Sequence, residues 1–173
     1  MTTMLRTSLA LTAAVAAVPG AAAELTLKID LPRLAVAEYH RPYVATWIER
    51  AGDQGFVGNV AVWYDVHKRD NGGAKWLKEM RTWWHKSGRD VATLPDGVSG
   101  ATRPAGEQRL NLLDAKALAA LSPGSYEVVV EAARENGGRE VLRVPFDWPI
   151  RKAASPQAKG DGELGGVSLE EKP

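Results

Sequence analysis

The chain has 173 residues, 45% hydrophobic and 25% charged, with 22 Lys and Arg against 21 Asp and Glu. That composition supports one globular domain with a sizeable core and argues against nucleic acid as a partner, which wants a clear basic excess. Zero cysteines exclude disulfides, thiolate metal sites, iron–sulfur clusters, CxxCH haem attachment and a cysteine nucleophile, and only three histidines remain, His40, His67 and His85.

Residues 1–23 are predicted to be a secretory signal peptide. Arg6 precedes an apolar run, Leu9 to Val18, too short to cross a bilayer, which takes about 20 residues. Pro19-Gly20 breaks the run, and Ala21-Ala22-Ala23 supplies small residues for cleavage after Ala23. The expected product is periplasmic or otherwise exported, not membrane-spanning, and begins at Glu24.

In Glu24 to Leu31, Leu25, Leu27, Ile29 and Leu31 alternate with polar residues, the period of a half-buried strand. Pro32 stops it. Tyr43 to Glu49 and Asn59 to Asp65 are apolar on both faces and read as central strands, joined by a Gly-rich hairpin loop. After Asn71-Gly72-Gly73 the period changes. Trp76, Met80, Trp83 and Trp84 follow i, i+4, i+7, i+8, one face of an amphipathic helix over 75–86. That stripe serves either as a lid covering an open sheet edge or one end of the sandwich, or as an aromatic wall beside a planar ligand.

Gly88 to Gly106 has no period and is the longest irregular stretch inside the domain. A short strand follows over 108–113, then a short helix with Asp114 as N-cap. Tyr126 to Ala132 and Val141 to Trp148 form a hairpin around Asn136-Gly137-Gly138, with Tyr126, Val128, Val130 and Ala132 facing Leu142, Val144, Phe146 and Trp148 inward. Residues 151–173 contain no aromatic side chain and are rich in Gly, Lys, Glu and Ser, the composition of a disordered tail. The expected organisation is a signal peptide (1–23), one domain (24–150) and a tail (151–173). The fold class is mainly β: an antiparallel immunoglobulin-like β-sandwich with one inserted amphipathic helix.

The irregular stretch carries Asp96-Gly-Val-Ser99-Gly100-Ala101-Thr102. This matches Asp-x-x-(Ser/Thr)-Gly-Ala-(Thr/Ser) and resembles the flavinylation motif of FMN-binding domains and of the flavin-bearing subunits of sodium-pumping quinone reductases. The resemblance implies that a periplasmic flavin transferase moves FMN from FAD onto the Thr102 hydroxyl as a phosphoester. It makes Ser99, Gly100 and Ala101 the recognition strip and Asp96 an upstream acidic element. The residue types suit the chemistry: a small-residue strip lets another active site close over it, and an exposed hydroxyl can attack a phosphoryl group in line. One departure is Arg103-Pro104 directly after the acceptor, where many flavin acceptors carry another Ser or Thr. Pro104 biases Arg103 toward extended geometry.

The wider pattern resembles the DUF2271 family of predicted periplasmic proteins. Tyr39 to Glu49, Lys75 to Trp84, Ser99 to Pro104 and Tyr126 to Gly138 carry that resemblance, which implies association with membrane flavin and iron-reduction systems. The function expected is therefore an electron carrier with FMN on Thr102, partnered by a flavin transferase and a membrane reductase. Arg103 would offset phosphate charge and Trp83 or Trp84 would shield the ring. Two alternatives stay open: a cofactor-free periplasmic binding or adaptor module, and an iron- or haem-binding protein using Tyr39, His40 and Tyr43.

Overall fold

The computed structural model describes residues 23–89 and 97–173. The expected signal peptide, apart from Ala23, lies outside the described residues, as does Asp96. The strands are β1 (Glu24–Leu31), β2 (Tyr43–Arg50), β3 (Phe56–Tyr64), β4 (Ser99–Ala101), β5 (Gly106–Asn111), β6 (Gly124–Ala133), β7 (Arg139–Trp148), β8 (Gln157–Lys159) and β9 (Gly166–Lys172). Among the described residues they make a four-stranded sheet, ordered β5-β1-β9-β8, and a five-stranded sheet, ordered β4-β3-β2-β6-β7.

Alternation along β1 decides the first sheet. Leu25, Leu27, Ile29 and Leu31 are essentially inaccessible, and β1 is flanked on both sides by antiparallel neighbours, β5 and β9. The strands β2, β6 and β7 do the same for the second sheet. Val44, Ile48, Val128, Val130, Ala132, Val144 and Phe146 join the β1 residues in one apolar cluster shared by both sheets. Each such side chain contributes about 1.5–3 kcal/mol on burial. The inward faces expected for the β6–β7 hairpin are the observed ones, and Asn136 takes the left-handed conformation (φ 55°) that its turn requires.

The second sheet is covered on its other face as well. There Tyr43, Ala45, Trp47, Val62, Val129 and Ala133 pack against Leu77, Met80 and Trp83. The covering segment is not one amphipathic helix. It runs as a 3₁₀ turn (Ala74–Glu79), a single α-helical turn, α1 (Arg81–Trp83), and a π turn (Trp84–Gly88), broken at Met80 (φ −77°, ψ 72°). Gly88 explains the tight end, since a Cβ there would lie 2.7–3.0 Å from the Trp83 and Trp84 rings. Met80 and Trp83 are core, and Trp76 and Trp84 are partly buried beside them. The stripe covers a sheet face, rather than an edge or an end.

Two further expectations change. The cap near residue 114 is Asn111, whose side chain accepts from the Leu113 N–H (3.1 Å), and the following helix, α2 (Lys116–Ala119), begins two residues beyond Asp114. The segment 151–173 is not a loose tail but supplies β8 and β9. Val167 and Leu169 alternate with polar residues and enter the core, joined by Leu164. Two carboxylates tie this segment down. Glu140 accepts from the backbone N–H groups of Asp161, Gly162 and Leu164 (2.8–3.1 Å). Glu163 accepts two bonds from the Arg134 guanidinium and one from Gly138 N–H, each 2.9 Å.

Deleting residues 152–173 strips three buried apolar side chains and one whole flank of β1, a loss of about 5 kcal/mol or more, comparable with the stability of a whole domain. The truncated chain should fail to give a cooperative melt by circular dichroism; an unchanged melting temperature would mean that β9 contributes nothing. Trp83→Ala should lower unfolding free energy by about 3–5 kcal/mol in urea titration, the range for a buried aromatic.

Candidate functional site

Strand direction collects several connections at one end of the molecule. β2 starts there at Tyr43, opposite Ala133 at the end of β6, while Tyr64 at the end of β3 pairs with Ala101. Gly165 N–H donates to the Asp30 carbonyl (2.9 Å), and the nearby Glu163 is held by Arg134 just past β6, which together bring the end of β1 to the same place. The β1–β2 connection, residues 32–42, therefore crosses this end beside the residues that follow β4.

The Ser-Gly-Ala-Thr segment is more ordered than expected. Ser99, Gly100 and Ala101 form β4 and pair in parallel with Val62, Trp63 and Tyr64 at the edge of the five-stranded sheet. Val62 N–H also donates to the Val98 carbonyl (2.8 Å). A parallel partner needs a crossover connection, and the helical cover after β3 provides it. Ser99 and Ala101 are exposed, Gly100 and Thr102 are half-buried, and Thr102 is the first residue past the strand. Gly100 lies against Trp63, where a Cβ would be 3.4 Å from the indole Cδ1. The Arg103 guanidinium sits 5.2 Å over the Trp63 ring, a cation–π contact. Trp83 belongs to the outer cluster of the five-stranded sheet; Trp63, which carries Arg103, belongs to the cluster between the sheets.

Beside the Ser99–Thr102 segment is a cleft of about 640 Å³, lined by Arg33, Leu34, Ala35, Val36, Tyr39 and Arg41 from the β1–β2 connection and by Pro104 and Ala105. Neither arginine is in an ion pair within 4.0 Å among the described residues. Arg33, Arg41 and Trp63 escaped sequence reasoning. Their only signal was that Pro32-Arg33 and Arg41-Pro42 bracket one connection.

Tyr43 anchors the floor of this end. Its hydroxyl donates to Glu135 (2.9 Å), which also accepts from Lys68 Nζ (2.8 Å). Burial pushes the Tyr43 hydroxyl up, and the Glu135 carboxylate beside it adds to the rise, so it stays a neutral donor. Tyr39 lines the cleft, and His40 Nε2 is 3.2 Å from the Glu38 carboxylate. Among the described residues no three His, Asp or Glu side chains converge to hold a metal ion.

A family model described as "Predicted periplasmic protein (DUF2271)" matches residues 24–166. No curated protein and no solved structure matches the chain. No helix among the described residues is long and apolar enough to cross a membrane.

The carboxylates at this end set its acid sensitivity. Burial raises Glu140, but three backbone N–H donors outweigh it and hold the carboxyl below its ordinary value. Glu135 behaves alike, with burial outweighed by hydrogen bonds from Lys68 and Tyr43. A carboxyl depressed in the folded state adds stability above its unfolded-state pKa, and that contribution is lost as pH falls through the folded value. Stability should therefore decline as pH drops below about 4.5. Glu140→Gln should lower stability at pH 7 and flatten that acid limb in urea titrations across pH; an acid limb identical to wild type would remove Glu140 from the account.

Proposed function

Since the chain belongs to the DUF2271 family of predicted periplasmic proteins, we propose that it is an exported electron-transfer protein. It carries FMN as a phosphoester on Thr102 and serves a membrane flavin or iron-reduction system. The observation that carries this reading is the placement of the motif. Ser99, Gly100 and Ala101 lie along an edge strand, with Thr102 half-exposed immediately after it. An edge strand with two exposed small side chains is open to another protein's active site.

The surroundings fit an attached flavin phosphate. Arg103 follows the acceptor, held by Trp63, and Arg33 and Arg41 stand in the neighbouring cleft. In the attachment step the Thr102 Oγ1–phosphorus bond forms as the pyrophosphate P–O bond of FAD breaks. AMP leaves, and the hydroxyl proton passes to a base of the transferase. Bound FMN supplies the redox chemistry; the chain supplies position and charge. Because β4 is hydrogen-bonded to β3, the transferase must read the strip in place or peel three residues from the edge.

A second reading, a cofactor-free binding module, draws on a different feature. A cleft of about 700 Å³ at the opposite strand ends is lined by Trp148, Pro149, Asp147, Arg151 and Ser125. Either function would sit on an immunoglobulin-like arrangement of the two sheets, a relation favoured by the apolar cluster they share.

Co-expression with a periplasmic flavin transferase should add to the wild-type chain the mass of FMN less one water, read by intact mass spectrometry. Thr102→Ala should abolish the adduct with little change in melting temperature, and Thr102→Ser should retain part of it. An unlabelled wild type beside a competent transferase, or a labelled Thr102→Ala, would sink the flavin carrier and leave the binding module.

A further inference from the structure

Exposed apolar surface at one end of this molecule is unusually placed. Val36 (42% exposed), Tyr39 (37%) and Val66 (36%) are the exposed large hydrophobic residues among those described. Two of the three line the cleft formed by the β1–β2 connection and Pro104–Ala105. Isolated exposed hydrophobics need no explanation, but here two of them line one concavity. The volume, about 640 Å³, lies within the range of small-molecule sites.

The polar lining has one sign. Arg33 and Arg41 contribute guanidinium groups, and no Asp or Glu lines the cleft. A surface with an aromatic ring, aliphatic side chains and two cations suits a planar aromatic ligand that carries an anionic group. Chain geometry identifies the occupant. Thr102 precedes Pro104 by two residues, so its Cα lies within about 7 Å of that of a residue on the cleft wall.

We propose that this cleft seats the FMN attached at Thr102, with the flavin ring against Tyr39 and Val36 and its anionic groups facing Arg33 and Arg41. The proposal rests on the Thr102 reading but makes a separate demand, since attachment alone requires no seat for the ring. It also gives the β1–β2 connection a role that Trp83, buried on the far side of the five-stranded sheet from the inter-sheet core, does not fill.

Two experiments separate the seat from the attachment. In the first, unlabelled Thr102→Ala protein is titrated with free FMN and with riboflavin, followed by flavin fluorescence anisotropy. FMN should bind more tightly than riboflavin. The Arg33→Gln/Arg41→Gln double variant should weaken FMN about tenfold or more and leave riboflavin nearly unchanged, while Tyr39→Ala should weaken both. In the second, flavin fluorescence is compared in labelled wild type and labelled Tyr39→Ala; losing the stacked ring should brighten the flavin and lower its anisotropy. Binding of free FMN that ignores all three side chains, or labelled proteins with identical fluorescence, would overturn the seat while leaving the phosphoester intact. Side-chain-dependent FMN binding in a chain that never becomes labelled would do the reverse.

Discussion

Two carboxylates buried on the outer face of the five-stranded sheet hold the cover that follows β3 in place. Glu131 and Glu49 are both fully inaccessible. Such groups are tolerable only when donors replace the lost water. Glu131 accepts from the backbone N–H groups of Thr82 (3.1 Å) and Trp83 (2.7 Å) and from Arg139 (2.8 Å). It thereby caps α1, for which Met80 provides no side-chain cap. Glu49 Oε1 accepts from the Trp47 indole (2.7 Å) and pairs with Lys86 (3.1 Å) in the π turn, while its Oε2 has no hydrogen-bond partner and only the Arg143 guanidinium 3.9 Å away. Two strands, β6 and β2, thus hold the cover, one at the start of α1 and the other at the π turn.

That anchoring has a downstream consequence. With 81–88 held flat on the sheet, the chain has crossed the face when it returns to β3, and it pairs there in parallel rather than as a hairpin. The parallel register places Ala101 beside Tyr64 and leaves Thr102 at the end where the β1–β2 connection crosses. The candidate site thus combines a motif from one sheet's edge with a cleft wall built by a distant connection. The same end is stiffened by Glu140 and Glu163, which clamp the segment leading into β9.

Much of the sheet structure was legible because strand signals are local: period-two alternation marks β1, β6 and β7, and runs apolar on both faces mark β2 and β3. What failed was local in appearance only. The alternation of Val167 and Leu169 is real but brief, and it sits in a polar composition that reads as a tail. Its stability comes from β1 and from Glu140, more than a hundred and more than twenty residues away respectively. The Trp stripe correctly located a buried face, yet a continuous helix was the wrong carrier. Glu131 draws the backbone into a turn at Thr82, and Gly88 lets the two indoles close over it. Of the candidate site, the Ser99–Thr102 segment stood out in sequence. Arg33, Tyr39 and Arg41 were invisible as a group, because only the fold brings residues 33–41 beside 104–105.

The proposed FMN on Thr102, held by one hydroxyl at the end of one short edge strand, is open to a single observation. Trypsin does not cleave before Pro104, so digestion yields a peptide spanning 90–109 with Thr102 inside it. Mass spectrometry of that peptide, from protein recovered from the periplasm of its native host, should find FMN less one water, with fragment ions assigning it to Thr102. An unmodified 90–109 peptide from cells whose other flavin acceptors are labelled would contradict the account at its centre.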